Sequence, residues 1–242
     1  CMCPKGCSMI NSAVIIAAGQ GRRLNYCSKA MIPVAGKALI TYGLDALREC
    51  KINDVIIIYR SNDSEIKNLL KDYHFENFHL RFIEDTHLKG PVFAHMLFHD
   101  LVSYPILTMD CDLILQPDSL RRMLIEYEIM LRNKKLDAAI AIIDHPIFEN
   151  NHSVLLSGDI VTAYKHTGLE NGLDAGYVYV WNKSIVSKIQ YYYSCAQVRK
   201  RFSSFFEYFV SEHRVGGMHI DYLWDVDTPK LVDLTEARFR TK

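Results

Sequence analysis

The run Ala13-Val14-Ile15-Ile16-Ala17-Ala18, closed by Gly19-Gln20-Gly21-Arg22-Arg23-Leu24, constrains this chain more than any other stretch. Six apolar or small residues without a polar interruption suit a strand buried on both faces, as in a parallel sheet. Glycines at 19 and 21 permit a sharp turn and bring bare backbone N–H groups close to an anion. Arg22 and Arg23 follow at once, and Lys29 shortly after. A guanidinium offers a fork of donors to phosphate oxygens, and an ammonium offers a point charge. The stretch therefore reads as a strand delivering a phosphate-binding turn. It is not the dinucleotide fingerprint, because Leu24 stands where G-x-G-x-x-G needs its last glycine, and the G-x-x-x-x-G-K-[ST] loop is absent. Taken alone, it could also be two turn glycines followed by solvated arginines.

Apolar runs recur at 54–59, 80–83 and 105–109, and helical spacing fills 39–50, 63–73, 90–101 and 117–131 between and after them. Strand and helix in strict alternation predict an α/β fold, with a mainly parallel central sheet and helices on both faces. In such sheets ligands bind at the carboxyl ends of the strands. Two features fall there: the basic turn at 21–29 and Asp110-Cys111-Asp112. The second half is less regular, with strands expected at 138–143, 160–164, 177–181 and 218–222, and helices at 183–193, 198–210 and from Pro229. The stripe Phe202, Phe205, Phe206, Phe209 reads as a helix face packed on the sheet. Were it exposed, it would be a contact for a homodimer.

The 242 residues suit one large domain over 9–242, and an apolar fraction of 49% suffices for its core. Residues 1–8 precede Met9 and hold Cys1, Cys3 and Cys7; they read as a disordered leader or a remnant. Seven cysteines argue against a complete disulfide framework, so Cys27, Cys50, Cys111 and Cys195 are expected to be reduced. Basic and acidic residues balance at 28 each, which leaves no global field for nucleic acid or an anionic membrane. No apolar run approaches the ~20 residues of a membrane span. No secretory signal pattern precedes the first strand, and a cytoplasmic location is expected.

Residues 13–59 resemble the N-terminal signature of nucleotidyltransferases that couple NTPs to phosphorylated sugars or alcohols. That pattern is roughly A-A-G-x-G-x-R-L, a loop, then K-P-L-x-P-V-x-G-K-P-L-I. Here it reads Ala17-Ala18-Gly19-Gln20-Gly21-Arg22-Arg23-Leu24, then Lys29-Ala30-Met31-Ile32-Pro33-Val34-Ala35-Gly36-Lys37-Ala38-Leu39-Ile40. Ala30 and Ala38 replace two prolines and remove no charge. The resemblance runs from about residue 13 to 234. It implies the GT-A-like, Rossmann-like nucleotide-diphospho-sugar transferase fold. It also implies that Ala17, Ala18, Gly19, Gly21 and Arg22 bind the nucleotide, with Gly90 letting the base lie against the backbone. Arg23 would hold the β- and γ-phosphates, and Lys29 would stabilise charge at the α-phosphate. Lys165 would seat the acceptor phosphate, ahead of the (N/D)-x-G-aromatic strand that starts at Asp174, and Asp174 would bind an acceptor hydroxyl.

Asp110 and Asp112 sit two apart at a strand end, so they point the same way. Such a pair carries either a metal or a turn. Relatives place a magnesium-binding Asp here in a G-D or D-x-D setting. Cys111-Asp112 matches the G-D form and puts Asp112 first, with Asp110 an equal candidate. The resemblance draws a second magnesium ligand from Trp224-Asp225-Val226-Asp227-Thr228-Pro229, and Asp227 is expected to supply it. Thr228 as N-cap with Pro229 at the first helical position explains the same stretch as a helix start.

The implied activity transfers NMP from an NTP to a phosphorylated sugar, polyol or amino alcohol, releasing pyrophosphate with Mg2+ as cofactor. No general base is needed, since the attacking phosphate is already ionised. The short loop between Arg23 and Lys29 and the D-V-D-T-P ending resemble inositol-1-phosphate and phosphocholine cytidylyltransferases and are also compatible with small sugar-1-phosphate guanylyltransferases, which leaves the base open with a slight lean toward CTP. The rival is a GT-A glycosyltransferase that holds a nucleotide sugar through Asp110 and Asp112.

Overall fold

The computed structural model describes residues 9–19, 21, 28–61, 63, 65–71, 73, 75–87, 90–143, 152–195, 201–221 and 223–240. Residues 1–8, Arg22, Arg23 and Cys27 thus lie outside the described residues. The opening apolar run forms β1 (Ser12–Ala17), buried except at Ile16. A 3-10 turn at Lys29–Met31 leads to a ribbon of β2 (Pro33–Val34) and β3 (Lys37–Ala38), which feeds α1 (Leu39–Glu49). Then come β4 (Asp54–Arg60), α2 (Glu65–Leu70), β5 (His79–Asp85), α3 (Pro91–Phe98), β6 (Ile106–Asp110), β7 (Leu113–Leu115) and α4 (Pro117–Asn133). The second half holds β8 (Ala138–Ile143), β9 (Ser153–Ser157), β10 (Ile160–Lys165), β11 (Leu173–Trp181), α5 (Ile185–Ser194), α6 (Phe202–Glu212), β12 (Val215–Ile220), β13 (Leu223–Asp225) and α7 (Pro229–Arg240).

One nine-stranded sheet runs β5-β4-β1-β6-β11-β8-β12-β10-β9. Its first four strands are parallel, as the alternating pattern predicts. β11 departs from that pattern: it lies antiparallel between β6 and β8. The chain from Lys165 to Leu173 turns at Gly168 (φ 82°) and Asn171 (φ 57°), and β10 and β11 run the same way, both antiparallel to β9. β9 pairs antiparallel with β10 and also touches β11 at Leu173 and Asp174, which curls this end of the sheet over.

Helices cover both faces. Ala13, Ile15 and Ala17 pack with Ile40, Leu44 and Leu47 of α1 on one side. Val14 packs with the cluster of α3, α5 and α6 on the other. Phe205, Phe206 and Phe209 are fully buried there, so this stripe is sheet packing and presents no face to a second copy. Each ring contributes about 1.5–3 kcal/mol by leaving water. Phe202 is only half-buried. Among the described residues Cys50, Cys111 and Cys195 are free thiols, and no helix is long and apolar enough to cross a membrane.

Candidate active site

The parallel register of β1 and β6 sets Ile16 beside Asp110, so both strands open at the same edge of the sheet. Ala17 and Ala18 lead out of β1 there. Gly19 is exposed, with open space where a side chain would begin, which leaves its backbone approachable by a ligand. Gly21 adopts φ 56°, a left-handed conformation that favours glycine. Gly90 follows β5 at the same edge, with φ 97°, and caps α3 ahead of Pro91. Its backbone strain explains why glycine stands at that position.

At this edge lies a charge cluster. Lys29 Nζ is ion-paired with Asp112 Oδ2, with the lysine side chain 24% and the aspartate 5% exposed. Burial works against the lysine charge, but Asp112, and next Asp225, outweigh it and hold the ammonium above its ordinary value. Asp110 is pushed up to about 7, first by burial and then by the Asp112 carboxylate, with Lys29 opposing. Asp225 is held well above the carboxylate range by burial, then by Asp112, Asp227 and Asp110. A ribbon of β7 and β13 brings Asp225 in: Asp225 registers with Leu113, and the Val226 N–H donates to the Asp112 carbonyl at 2.9 Å. Asp227, expected as the second metal carboxylate, lies beyond the ribbon and acts on Asp225 by charge. Thr228 does start α7: its hydroxyl accepts from the Leu231 N–H at 3.3 Å. Asp225 was passed over in the sequence. The buried pair Leu223-Trp224 before it was the available sign of a strand ending at the site.

Three carboxylates crowded around one ammonium form an all-oxygen donor set, the kind a hard cation such as magnesium accepts. Among the described residues no three such side chains stand close enough to hold an ion by themselves.

The carboxylate crowding has a measurable consequence in metal-free protein. Asp110 keeps its proton to about pH 7 when folded, whereas an unfolded aspartate ionises near about 3.9. Between those values the folded state binds more protons than the unfolded one, so stability falls as pH rises through that window. In EDTA, urea unfolding from about pH 5 to about pH 8 is expected to show a decline that Asp110→Asn reduces, at about 1.4 kcal/mol per unit of pKa difference removed. Identical slopes for the two proteins would contradict this account of Asp110.

The acceptor-side residues lie where the sheet curls. Lys165, exposed, and Asp174, half-buried, both register opposite Ser153, from β10 and β11 respectively. Burial holds the Asp174 carboxyl above its ordinary value. Lys165 is not among the charges that act on Asp110 or Asp225. A cavity of about 330 Å³ opens beside Asp110, and its walls include Tyr177, Tyr179, His152, His166 and Arg201. Lys165 and Asp174 are not on its walls. His152 and His166 stand alone in the sequence, where a lone histidine carries no periodic signal.

A profile of the MobA-like NTP transferase domain matches residues 13–200. The bifunctional protein GlmU of Methanocaldococcus jannaschii is 20% identical over 229 residues, which is 93% of this chain and 53% of that protein. The bifunctional IPC transferase and DIPP synthase of Aquifex aeolicus is 33% identical over 73 residues, 28% of this chain and 17% of its own length. The chain thus spans about half, or less, of these curated relatives. Two solved structures share the fold closely. The inositol-1-phosphate CTP transferase from T. maritima superposes with a TM-score of 0.77 at 15% identity, covering 93% of this chain and 95% of that one. A putative glucose-1-phosphate thymidylyltransferase from Bacillus anthracis gives 0.78 at 16% identity, covering 96% of each. With a strand-exit glycine turn, a paired lysine and carboxylate beside it, and a profile match over most of its length, this chain belongs to the MobA-like NTP transferase domain family.

Proposed function

We propose that this chain transfers a nucleoside monophosphate from an NTP, with CTP the favoured donor, to the phosphate of a small sugar, polyol or amino-alcohol acceptor. The observation that carries this reading is the Lys29–Asp112 pair, flanked by Asp110 and Asp225, at the shared carboxyl edge of β1 and β6. The barrier to joining two phosphates is mainly charge repulsion, and this edge concentrates the groups that offset it. Relatives named for CTP transfer to inositol 1-phosphate and thymidylyl transfer to glucose 1-phosphate have the same fold, which supports the class of reaction.

In the proposed mechanism an acceptor phosphate oxygen attacks the α-phosphorus in line, forming the new P–O bond. The bond to the oxygen bridging to the β-phosphate breaks, and pyrophosphate departs with that electron pair. The backbone of Gly19 and Gly21 and the side chains of Arg22 and Arg23 bind the triphosphate, with Arg23 on the β- and γ-phosphates. Gly90 gives the base a bare backbone to lie against. Lys29 leaves Asp112 for the α-phosphate, where its ammonium offsets the charge that builds during transfer. Asp112 and Asp225 would hold magnesium, with Asp110 and Asp227 as neighbours, and the bound ion would neutralise phosphate charge and orient the α-phosphate. Lys165 for the acceptor phosphate and Asp174 for a hydroxyl are carried over from the resemblance alone, since neither lines the cavity beside Asp110.

Pyrophosphate release with magnesium, measured across four NTPs and a panel of glucose 1-phosphate, inositol 1-phosphate and phosphocholine, tests the proposal. Release that requires both an NTP and one acceptor is expected. Silence with every NTP, together with nucleoside diphosphate release from a nucleotide sugar, would favour a glycosyltransferase that uses Asp110 and Asp112.

A further inference from the structure

Two candidate seats for an acceptor phosphate lie on opposite faces of the sheet. Lys165 follows Tyr164 and Asp174 precedes Ala175, and both Tyr164 and Ala175 pack into the cluster of α3, α5 and α6. Successive side chains on a strand alternate, so Lys165 and Asp174 point to the other face. The cavity beside Asp110 lies on the α3–α5–α6 face, where Tyr179 and Phe202 line it. At about 330 Å³ it is near the lower end of the ~300–1,000 Å³ usual for small-molecule sites. Asp110 belongs both to this cavity and to the charge cluster around Lys29, so the cavity adjoins the proposed reaction centre.

Of the described residues on its walls, only Arg201 carries a permanent positive charge. The direction of α6 sets where that charge stands. β11 registers Tyr179 with Thr108 and Trp181 with Ile106, so it descends from the carboxyl end of β6 to its start. Along α6, Phe202 meets Tyr179, Phe209 meets Trp181, and His213 beyond it faces Asp137 just before β8. The helix therefore descends as well, and Arg201, its N-cap, is at the end nearer Asp110. Its side chain is exposed. Among the described residues the arginines paired with a carboxylate are Arg48, Arg60, Arg81, Arg121 and Arg122; Arg201 is not one of them.

A guanidinium without a carboxylate partner offers its whole donor fork to a phosphate. Asp110, in the same cavity, repels a phosphate, and Arg201 is the group placed to offset it. Ser203 adds a hydroxyl on the same wall. The rings of Tyr177, Tyr179 and Phe202 suit the carbon face of a sugar and a methylated ammonium alike, so they hold the acceptor's body without choosing it. We propose that Arg201, rather than Lys165, seats the acceptor phosphate, with the acceptor's body in the ring-lined cavity. The inference rests on the nucleotidyl-transfer reading for the role of that phosphate.

Arg201→Ala leaves the start of α6 intact, because the backbone carbonyl of residue 201 accepts from the Phe205 N–H at 3.1 Å and no side chain caps the helix. In steady-state pyrophosphate release, this variant is expected to raise the acceptor KM by about 10- to 100-fold, in line with one lost charge-assisted contact. The NTP KM stays within about twofold. Arg201→Lys, which keeps the charge but not the fork, recovers part of the loss. Lys165→Ala leaves the acceptor KM within about twofold, and the reverse ranking of the two alanine variants overturns the proposal. The second measurement needs no turnover. Inorganic phosphate is titrated by calorimetry into protein holding magnesium and the α,β-methylene analogue of each of the four NTPs in turn. Binding should weaken by about tenfold or more in Arg201→Ala and be unchanged in Lys165→Ala. No phosphate binding by the wild type with any of the nucleotides, or equal affinity in Arg201→Ala, overturns the proposal. Phosphate binding that depends on Arg201, without pyrophosphate release from any donor and acceptor, keeps the seat and sinks nucleotidyl transfer. Release with an unchanged acceptor KM in Arg201→Ala does the reverse.

Discussion

Asp112→Asn is expected to reduce pyrophosphate release by about a thousandfold, equivalent to about 4 kcal/mol of transition-state stabilisation. Asp112 is the most buried carboxylate of the cluster and the one that holds Lys29. Its loss removes a proposed metal ligand and also frees the ammonium proposed to serve the α-phosphate. Asparagine keeps the volume and the Val226 N–H contact, which uses the backbone carbonyl of residue 112. The fold should therefore survive. Lys29 loses its partner but still has the Asp225 and Asp110 carboxylates nearby, so the stability cost in urea should be about 1–3 kcal/mol, the range for an unpaired, partly buried polar group. Lys29→Met should lose activity on a similar scale, and the double variant should lose less than the sum, because the two residues act as one unit. An Asp112→Asn protein with near-normal turnover would remove this residue from the site.

The second large effect separates two neighbouring aspartates. Asp225→Asn is expected to lower kcat by about a hundredfold, on the scale of losing one preorganised electrostatic group, and Asp227→Asn by less than about fivefold. The reason is the β7–β13 ribbon, which carries residue 225 to the Asp112 backbone and releases the chain before residue 227. Magnesium titration should follow the same order, with the apparent Mg2+ requirement rising in Asp225→Asn and unchanged in Asp227→Asn. The reverse order would restore Asp227 as the second ligand, as the D-x-D-T-P pattern first suggested.

How far the sequence could be read follows from what each element depends on. β1, β4 and β6 announce themselves as apolar runs because both their faces are buried. β8 occupies the expected residues, Ala138–Ile143, for the same reason. The strands β2, β3, β7 and β13 are two or three residues long, and each exists only by pairing with its partner, so no local pattern foretells them. The β7–β13 ribbon is also what brings Asp225 beside Asp112. The direction of β11 against β6 and β8 is set by where it inserts in the sheet and leaves no mark in its composition. Lys29 and Asp112 were singled out far apart in sequence by resemblance, and the fold puts them in contact. The contacts of His152 with Tyr164 and His166 join the start of β9 to β10 and become visible only when those strands pair. Arg22 and Arg23 lie outside the described residues, so their roles stay with the sequence argument.

Tracking the α-phosphorus is the most direct test of the central claim. CTP labelled at the α-phosphate with 32P, incubated with the protein, magnesium and inositol 1-phosphate or glucose 1-phosphate, should yield a labelled product resistant to alkaline phosphatase. CTP labelled at the γ-phosphate should give the label in pyrophosphate. Asp112→Asn should do neither at a comparable rate. Label that stays in the nucleotide with every acceptor and each of the four α-labelled NTPs, or that appears as inorganic phosphate from the γ-position, would contradict nucleotidyl transfer at this site.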